Sequence, residues 1–265
     1  MTTEDPVDMS NDNGQQKSRR GIYLLPNMIT TAGMFSGFYA IVAGMDGRFE
    51  SAAIAIFIAM VLDGLDGRVA RLTKTQSDFG VEYDSLSDMV CFGLAPALVV
   101  YEWSLKSMIS LGWAKLGWLA AFIYAASAAL RLARFNSQVA TAEKSYFRGL
   151  PSPSAAGVLA GLVWAATDFG LSGESMVYIA FVLTIAMGLL MVSNIRYYSF
   201  KEFNFKNRVP FVAVLIVMLL YVFASIDPPK ILFTGFLVYA IFGIVYTLLG
   251  LRKRRRARKR ENSEL

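Results

Sequence analysis

The chain has 265 residues, 55% of them apolar and only 17% charged, with a formal net charge of +6. A charged fraction below the roughly 25% of soluble domains and a mean hydropathy of +0.46 point to a polytopic membrane protein and away from a soluble globular enzyme. With no histidine and a lone cysteine, Cys91, imidazole chemistry, Ser-His-Asp triads, disulfide frameworks and multi-cysteine zinc sites are excluded.

Residues 1–16 are polar and short of apolar anchors, so they are expected to be disordered. The first apolar stretch starts too far in, and lacks a small-residue cleavage site, for a signal peptide. The segment from Lys17 to Asn27 mixes cations with Ile22, Tyr23, Leu24 and Leu25, as an interfacial helix leading into a span does. A spanning helix needs about 20 mostly apolar residues. Eight runs meet that need: 27–45, 50–70, 82–101, 113–134, 153–170, 174–193, 209–225 and 231–250. The expected fold is therefore all-α, a polytopic membrane helix bundle, with residues 17–251 as one integral membrane domain and 252–265 as a basic tail. With both termini on one side, 22 of the 26 basic residues fall on that side, which the positive-inside rule makes cytoplasmic. The tail from Arg252 to Arg260 reads as an anchor on anionic headgroups, in preference to a nucleic-acid contact.

The second and third spans are unusual, because six carboxylates lie between Asp63 and Asp88 at the end of one and the start of the other. Asp63, Asp66, Gly67 and Ala70 follow i, i+3, i+4, i+7 spacing and share one helix face, with Arg71 one position further round. Asp84 and Asp88 share a face of the next helix. Four carboxylates at the edge of hydrocarbon repel one another and resist desolvation. Oxygen-preferring divalent cations, Mg²⁺ or Mn²⁺, resolve that conflict. Four acids suit two cations, an arrangement that clamps phosphate oxygens, and Arg71 is placed to pair with a phosphate directly. Asp78 and Glu82 fit a solvated loop face better. A cation-coupled transporter, with the acids as an ion path, is the rival of a different class.

The run Asp63-x-x-Asp66-Gly67-x-x-Ala70-Arg71, eight further residues, then Gly80-x-x-x-Asp84-x-x-x-Asp88 resembles the signature of the CDP-alcohol phosphotransferase family at every defined position. The resemblance implies a six-helix membrane core, here with two additions, usually a homodimer, that moves a phosphatidyl or similar group from a CDP-linked donor to an alcohol. It implies that Asp63, Asp66 and Asp84 bind metal, and that Asp88 completes the second metal's shell and acts as general base. Gly67 and Ala70 would line the nucleotide pocket, and Arg71 would hold the donor's phosphates. Ser77 would offer the nucleotide a hydroxyl. Asn27 would approach the nucleotide or serve as a helix cap.

The motif reads the donor, and other stretches bear on the acceptor. Residues 129–136, 146–157 and the segment following Asp88 resemble a bacterial branch of that family that joins CDP-diacylglycerol to L-serine in the inner membrane. Arg131, Arg134 and Asn136 near the end of the fourth span, and Arg148 in the next loop, suit an acceptor with a carboxylate; snorkelling cations obeying the positive-inside rule would look the same. Glycerol 3-phosphate or an inositol acceptor would also want cations. Ser152 is a candidate acceptor contact, while Ser152 or Ser154 could instead cap the fifth span beside Pro151 and Pro153. Asn194 and Arg196 close the sixth span as further candidates.

Overall fold

The structure is a computed structural model that describes residues 12–73, 75, 77–138, 146–198 and 226–261. Helix α1 runs from Asp12 to Met45, so the chain is already helical before the first span begins. Gly47, at φ +74°, makes the left-handed turn that glycine adopts without strain, and α2 follows as Phe49–Thr73. The buried face of α2 is nearly all alanine: Ala52, Ala53, Ala55 and Ala59, with Ile56. Side chains this small let two helices approach closely, the usual device inside a membrane where lipid is as apolar as leucine. Ser36 of α1 donates to the Ala55 carbonyl at 2.8 Å across that contact.

Ser77 caps α3 (Asp78–Asp88), accepting from the Gly80 backbone N–H at 3.0 Å. The helix does not end at Asp88. It widens into a π-helical turn over Met89–Leu94 and resumes as α4, Ala95–Trp103. Gly37 of α1 lies against the wide turn so tightly that a Cβ there would sit 2.8 Å from Cys91 Sγ. The Cys91 thiol donates to the Gly33 carbonyl at 3.2 Å, and the buried Tyr124 hydroxyl donates to the Phe92 carbonyl at 3.0 Å. That last bond gives a partner to a carbonyl in the irregular turn.

Helix α5 covers Ala114–Gln138, a turn beyond the expected end at 134, which makes Asn136 helical. Helix α6 covers Ser152–Asp168 and α7 Val177–Val192. Flanking them in the chain is an element the sequence reading did not foresee, a two-stranded antiparallel ribbon of β1 (Tyr146–Arg148) and β2 (Arg196–Tyr198), with Arg148 opposite Arg196. Gly149, at φ +85°, turns the chain from β1 toward α6. Its N–H reaches the Ile195 carbonyl at 2.8 Å, and the Leu150 N–H takes the Leu190 carbonyl at the end of α7 at 3.0 Å. The cap on α6 expected from Ser152 or Ser154 is not made: Pro151 holds the cap position without a side-chain bond.

Helix α8 runs from Pro228 to Glu261 and packs along α6. A Cβ on Gly161 would lie 2.8 Å from Phe233 Cα, and one on Gly157 would lie 2.7 Å from the Phe236 ring. Its outer face, with Val238, Ile241, Phe242, Val245 and Tyr246, stays exposed. Phe35 and Met45 of α1 are each 70% exposed, a surface that suits lipid and not water. Among the described residues, four helical segments are long and apolar enough to cross a membrane: Leu25–Met45, Asp78–Trp103, Lys115–Ser137 and Pro228–Thr247. Val177–Val192 is apolar but shorter. Helix α2 has the length but carries Asp63, Asp66 and Arg68 in its last turns. The chain is a polytopic helical membrane protein. The run at 209–225 lies outside the described residues.

Candidate active site

Two helices meet at one end of the bundle with their acids facing. Helix α1 packs against both α2 and α3 and so holds their acid-bearing turns side by side. As a result carboxylate oxygens of Asp63, Asp66 and Asp84 all lie within 4.8 Å of one another. Asp66 is 4% exposed. Its Oδ2 accepts a hydrogen bond from the Thr30 hydroxyl at 2.6 Å, and Thr30 also contacts the Pro26 carbonyl one turn back. A ligand carboxylate held by an outer-shell hydroxyl keeps its orientation before any cation arrives. Replacing Thr30 with valine keeps the shape and removes that bond. The Thr30→Val protein is expected to bind Mn²⁺ roughly tenfold more weakly, within the range for outer-shell partners, as read by electron paramagnetic resonance titration; unchanged affinity would remove Thr30 from the site.

Asp88 is not one of the trio. It lies one turn further along α3, within hydrogen-bonding reach of Asp63 and in the field of the Arg131 guanidinium from α5. Three of the four acids thus converge, and the fourth adjoins them through Asp63. Three oxygen donors with no imidazole or thiolate among them fit a hard divalent cation.

The donor-side candidates line the same opening. Gly67 faces open space, its nearest neighbour for an added Cβ being Arg71 Nη1 at 3.9 Å, and Arg71 is exposed and free to reach outward. Ala70 is half-buried on the same helix face. Asn27 lies inside α1, which corrects its reading as a helix cap. Its Oδ1 would stand 3.5 Å from a Cβ on Gly80, an ordinary contact distance that places it beside the α3 cap. The Ser77 hydroxyl is engaged as the α3 cap and keeps its own proton to donate elsewhere. Asp78 and Glu82 are exposed, as a solvated face requires.

The acceptor-side candidates come from α5, α6 and α7. Arg131 donates to the buried Ser152 hydroxyl at 2.7 Å, so Ser152 serves the arginine and not the helix end. Arg134 donates to Asn194 Oδ1 at 2.8 Å, joining the ends of α5 and α7. Asn136 Nδ2 donates to Ser85 at 2.9 Å, next to Asp84. Only the backbone of Arg148 and Arg196 is described, in the ribbon beside these groups. Sequence reasoning missed Thr30 and Ser85. Thr30 had a faint signal, standing one turn after Asn27 on an otherwise apolar face, whereas Ser85 had none.

A membrane-embedded bundle that gathers oxygen donors for a hard cation at one end, with arginines beside them, defines a class: proteins that handle phosphate esters at a bilayer surface. Residues 23–188 match the CDP-alcohol phosphatidyltransferase family, and the chain belongs to that family. It is 34% identical over 230 residues to a CDP-diacylglycerol–serine O-phosphatidyltransferase of Helicobacter pylori strain J99, covering 86% of this chain and 94% of that one. A protein of the same name from Methanocaldococcus jannaschii is 32% identical over 233 residues, covering 88% and 98%. An archaetidylserine synthase of Methanothermobacter thermautotrophicus is 33% identical over 175 residues, covering 65% and 69%.

Proposed function

We propose that the protein transfers the phosphatidyl group of CDP-diacylglycerol to L-serine, giving phosphatidylserine and CMP. The observation that carries this reading is the convergence of the carboxylates of Asp63, Asp66 and Asp84, with Asp88 beside Asp63 and Arg131 near enough to act on it electrostatically. Arg131 is the cation that a serine carboxylate would meet, which places the serine hydroxyl beside Asp88. Arg71 pairs with the donor's pyrophosphate, while Gly67, Ala70, Ser77 and Asn27 border the nucleotide. Asp63, Asp66 and Asp84 would hold one divalent cation, Mg²⁺ or Mn²⁺, and Asp88 would join them for a second. When bound, the cations neutralise charge on the donor's phosphates.

Asp88 takes the proton from the serine hydroxyl. The serine oxygen bonds to the phosphorus that carries diacylglycerol, the bond from that phosphorus to the bridging oxygen breaks, and CMP leaves with the electron pair. Arg134, Asn136 and Arg148 shape the acceptor side. The acyl chains stay in lipid, which suits a site at the end of the bundle. Arg48, Lys106 and Lys230, at the other end, each pair with a nearby acid. With 22 of the 26 basic residues on the side of the site, the positive-inside rule supports an orientation with the site and both termini facing the cytoplasm of a bacterial inner membrane. The reading includes eight spans, a single catalytic domain over 17–251, a headgroup-binding tail and a homodimer.

The test is CMP release by the purified protein with CDP-diacylglycerol, Mg²⁺ or Mn²⁺, and one alcohol at a time. Release stimulated by L-serine alone is the expected result. Stimulation by glycerol 3-phosphate or an inositol acceptor instead would overturn the serine assignment. Ion flux in proteoliposomes without CMP release would overturn the enzyme.

A further inference from the structure

We infer that Ser85 of α3 is a positioning residue that, through its bond to Asn136 of α5, sets the width of the opening in which the acceptor meets Asp88; this rests on the reading of the site as a serine phosphatidyltransferase. Ser85 lies between Asp84 and Asp88, at a place the motif leaves undefined. Nothing in the motif leads to it, and the hydrogen bonding does.

Helix α3 packs mainly on α1 and the wide turn, and α5 on α7, the wide turn and α4. The wide turn is where the two lines come closest. There the Tyr124 hydroxyl donates to the Phe92 carbonyl, and a Cβ on Gly93 would lie 3.3 Å from Ala128 Cβ. From that contact α5 continues from Ala128 to Asn136, eight residues and about 12 Å of helix, while the other line runs back from Gly93 to Ser85. At that level side chains join the two again. Asn136 Nδ2 donates to the Ser85 hydroxyl oxygen at 2.9 Å. The hydroxyl proton is left for the Val81 carbonyl one turn back, at 3.1 Å, or for Asn136 Oδ1 at 3.3 Å. Both residues are half-buried.

The close contact at Gly93 and the bridge at Ser85 frame one opening between α3 and α5. Asp88 lies on one side of that frame and Arg131 on the other, and their charges act on each other. An acceptor whose carboxylate meets Arg131 and whose hydroxyl meets Asp88 must span the gap between the helices. The spacing of the helices then decides whether both ends are met at once, and small errors in such spacing are costly. Ser85 suits that duty because its hydroxyl can be tied to its own helix while a lone pair takes the Asn136 amide. Both residues act through the width of the opening, and neither takes part in bond making.

The experiment is steady-state CMP release by the full chain carrying Ser85→Ala, with serine varied at saturating CDP-diacylglycerol and the reverse. Ser85→Thr and the double variant Ser85→Ala/Asn136→Ala are assayed beside it. Alanine favours the helix and deletes the bridge, so KM for serine should rise roughly tenfold. The KM for CDP-diacylglycerol should stay within about twofold of wild type, because α1 holds the acid-bearing turns of α2 and α3 from the other side. Threonine keeps a hydroxyl and should bring the serine KM back to within about threefold of wild type. The double variant should be no worse than Ser85→Ala, since both remove the same bond. An unchanged serine KM overturns the inference, and so do losses that add in the double variant. A fall in kcat with both KM values intact also overturns it, being what a merely structural serine would give through loss of folded protein. Wild type assayed with each alcohol separates the two claims. If it uses another charged alcohol, the serine reading falls, and Ser85 stands or falls on the KM for that alcohol. If it releases CMP with none, the reading falls and takes the inference with it.

Discussion

Replacing Asp88 with asparagine is expected to lower CMP release by roughly 100- to 10,000-fold, the span that a positioned general base contributes, while CDP-diacylglycerol still binds. The expectation follows from where Asp88 sits. It lies one turn beyond Asp84 on α3, outside the convergent trio of Asp63, Asp66 and Asp84 but beside Asp63, with Arg131 in electrostatic range. Asparagine keeps the size and one oxygen, so the donor side should survive, but it cannot accept a proton at neutral pH. The measurement is turnover in detergent or nanodiscs, paired with equilibrium binding of CDP-diacylglycerol to the same preparation. Turnover within a few-fold of wild type would remove Asp88 from the role of base. Loss of donor binding along with turnover would move it to the donor side of the site.

Asp84→Ala should behave differently. Asp84 is the one member of the trio that α3 contributes, the other two coming from α2. Without it the cluster is two carboxylates on a single helix, and the cation loses its link between helices. Mn²⁺ affinity should fall by more than the roughly 10- to 100-fold typical of outer-shell changes, and CDP-diacylglycerol binding should weaken with it. A titration of Mn²⁺ into the Asp84→Ala protein checks this, and unchanged affinity would mean that the trio does not hold the metal. The pair of variants is informative together: Asp88→Asn is expected to separate binding from turnover, and Asp84→Ala is expected to lose both.

How far the sequence leads depends on the range of the interaction concerned. Asp63, Asp66, Asp84 and Asp88 were legible because helical periodicity over a few turns decides which acids share a face. The apolar runs were legible because a bilayer demands about 20 apolar residues in a row. Asn27 and Ser152 show the limit. Their local surroundings suggested helix caps, yet Asn27 lies within α1 and Ser152 receives Arg131 from another helix. Those roles are decided by which helices pack together, and small residues such as Gly157 and Gly161 permit a packing without specifying its partner. The ribbon of β1 and β2 was hidden for the same reason, since three-residue strands carry too short a pattern to stand out from a loop.

The wide turn over Met89–Leu94 gives α3 and α4 separate angular phases. In a continuous α-helix each residue advances the side chain by about 100°, so a face chosen for acids near Asp84 would dictate, many residues later, which side of the same span meets the protein interior. A π-helical turn absorbs an extra residue and breaks that coupling. The stretch carrying Asp84 and Asp88 can therefore be aimed at the cleft, while Ala95, Val99 and Val100 are aimed at the interior by an independent choice. One span thus presents its acids to the cleft at one end and its apolar stripe to the interior at the other, which a single uninterrupted helical phase would not allow.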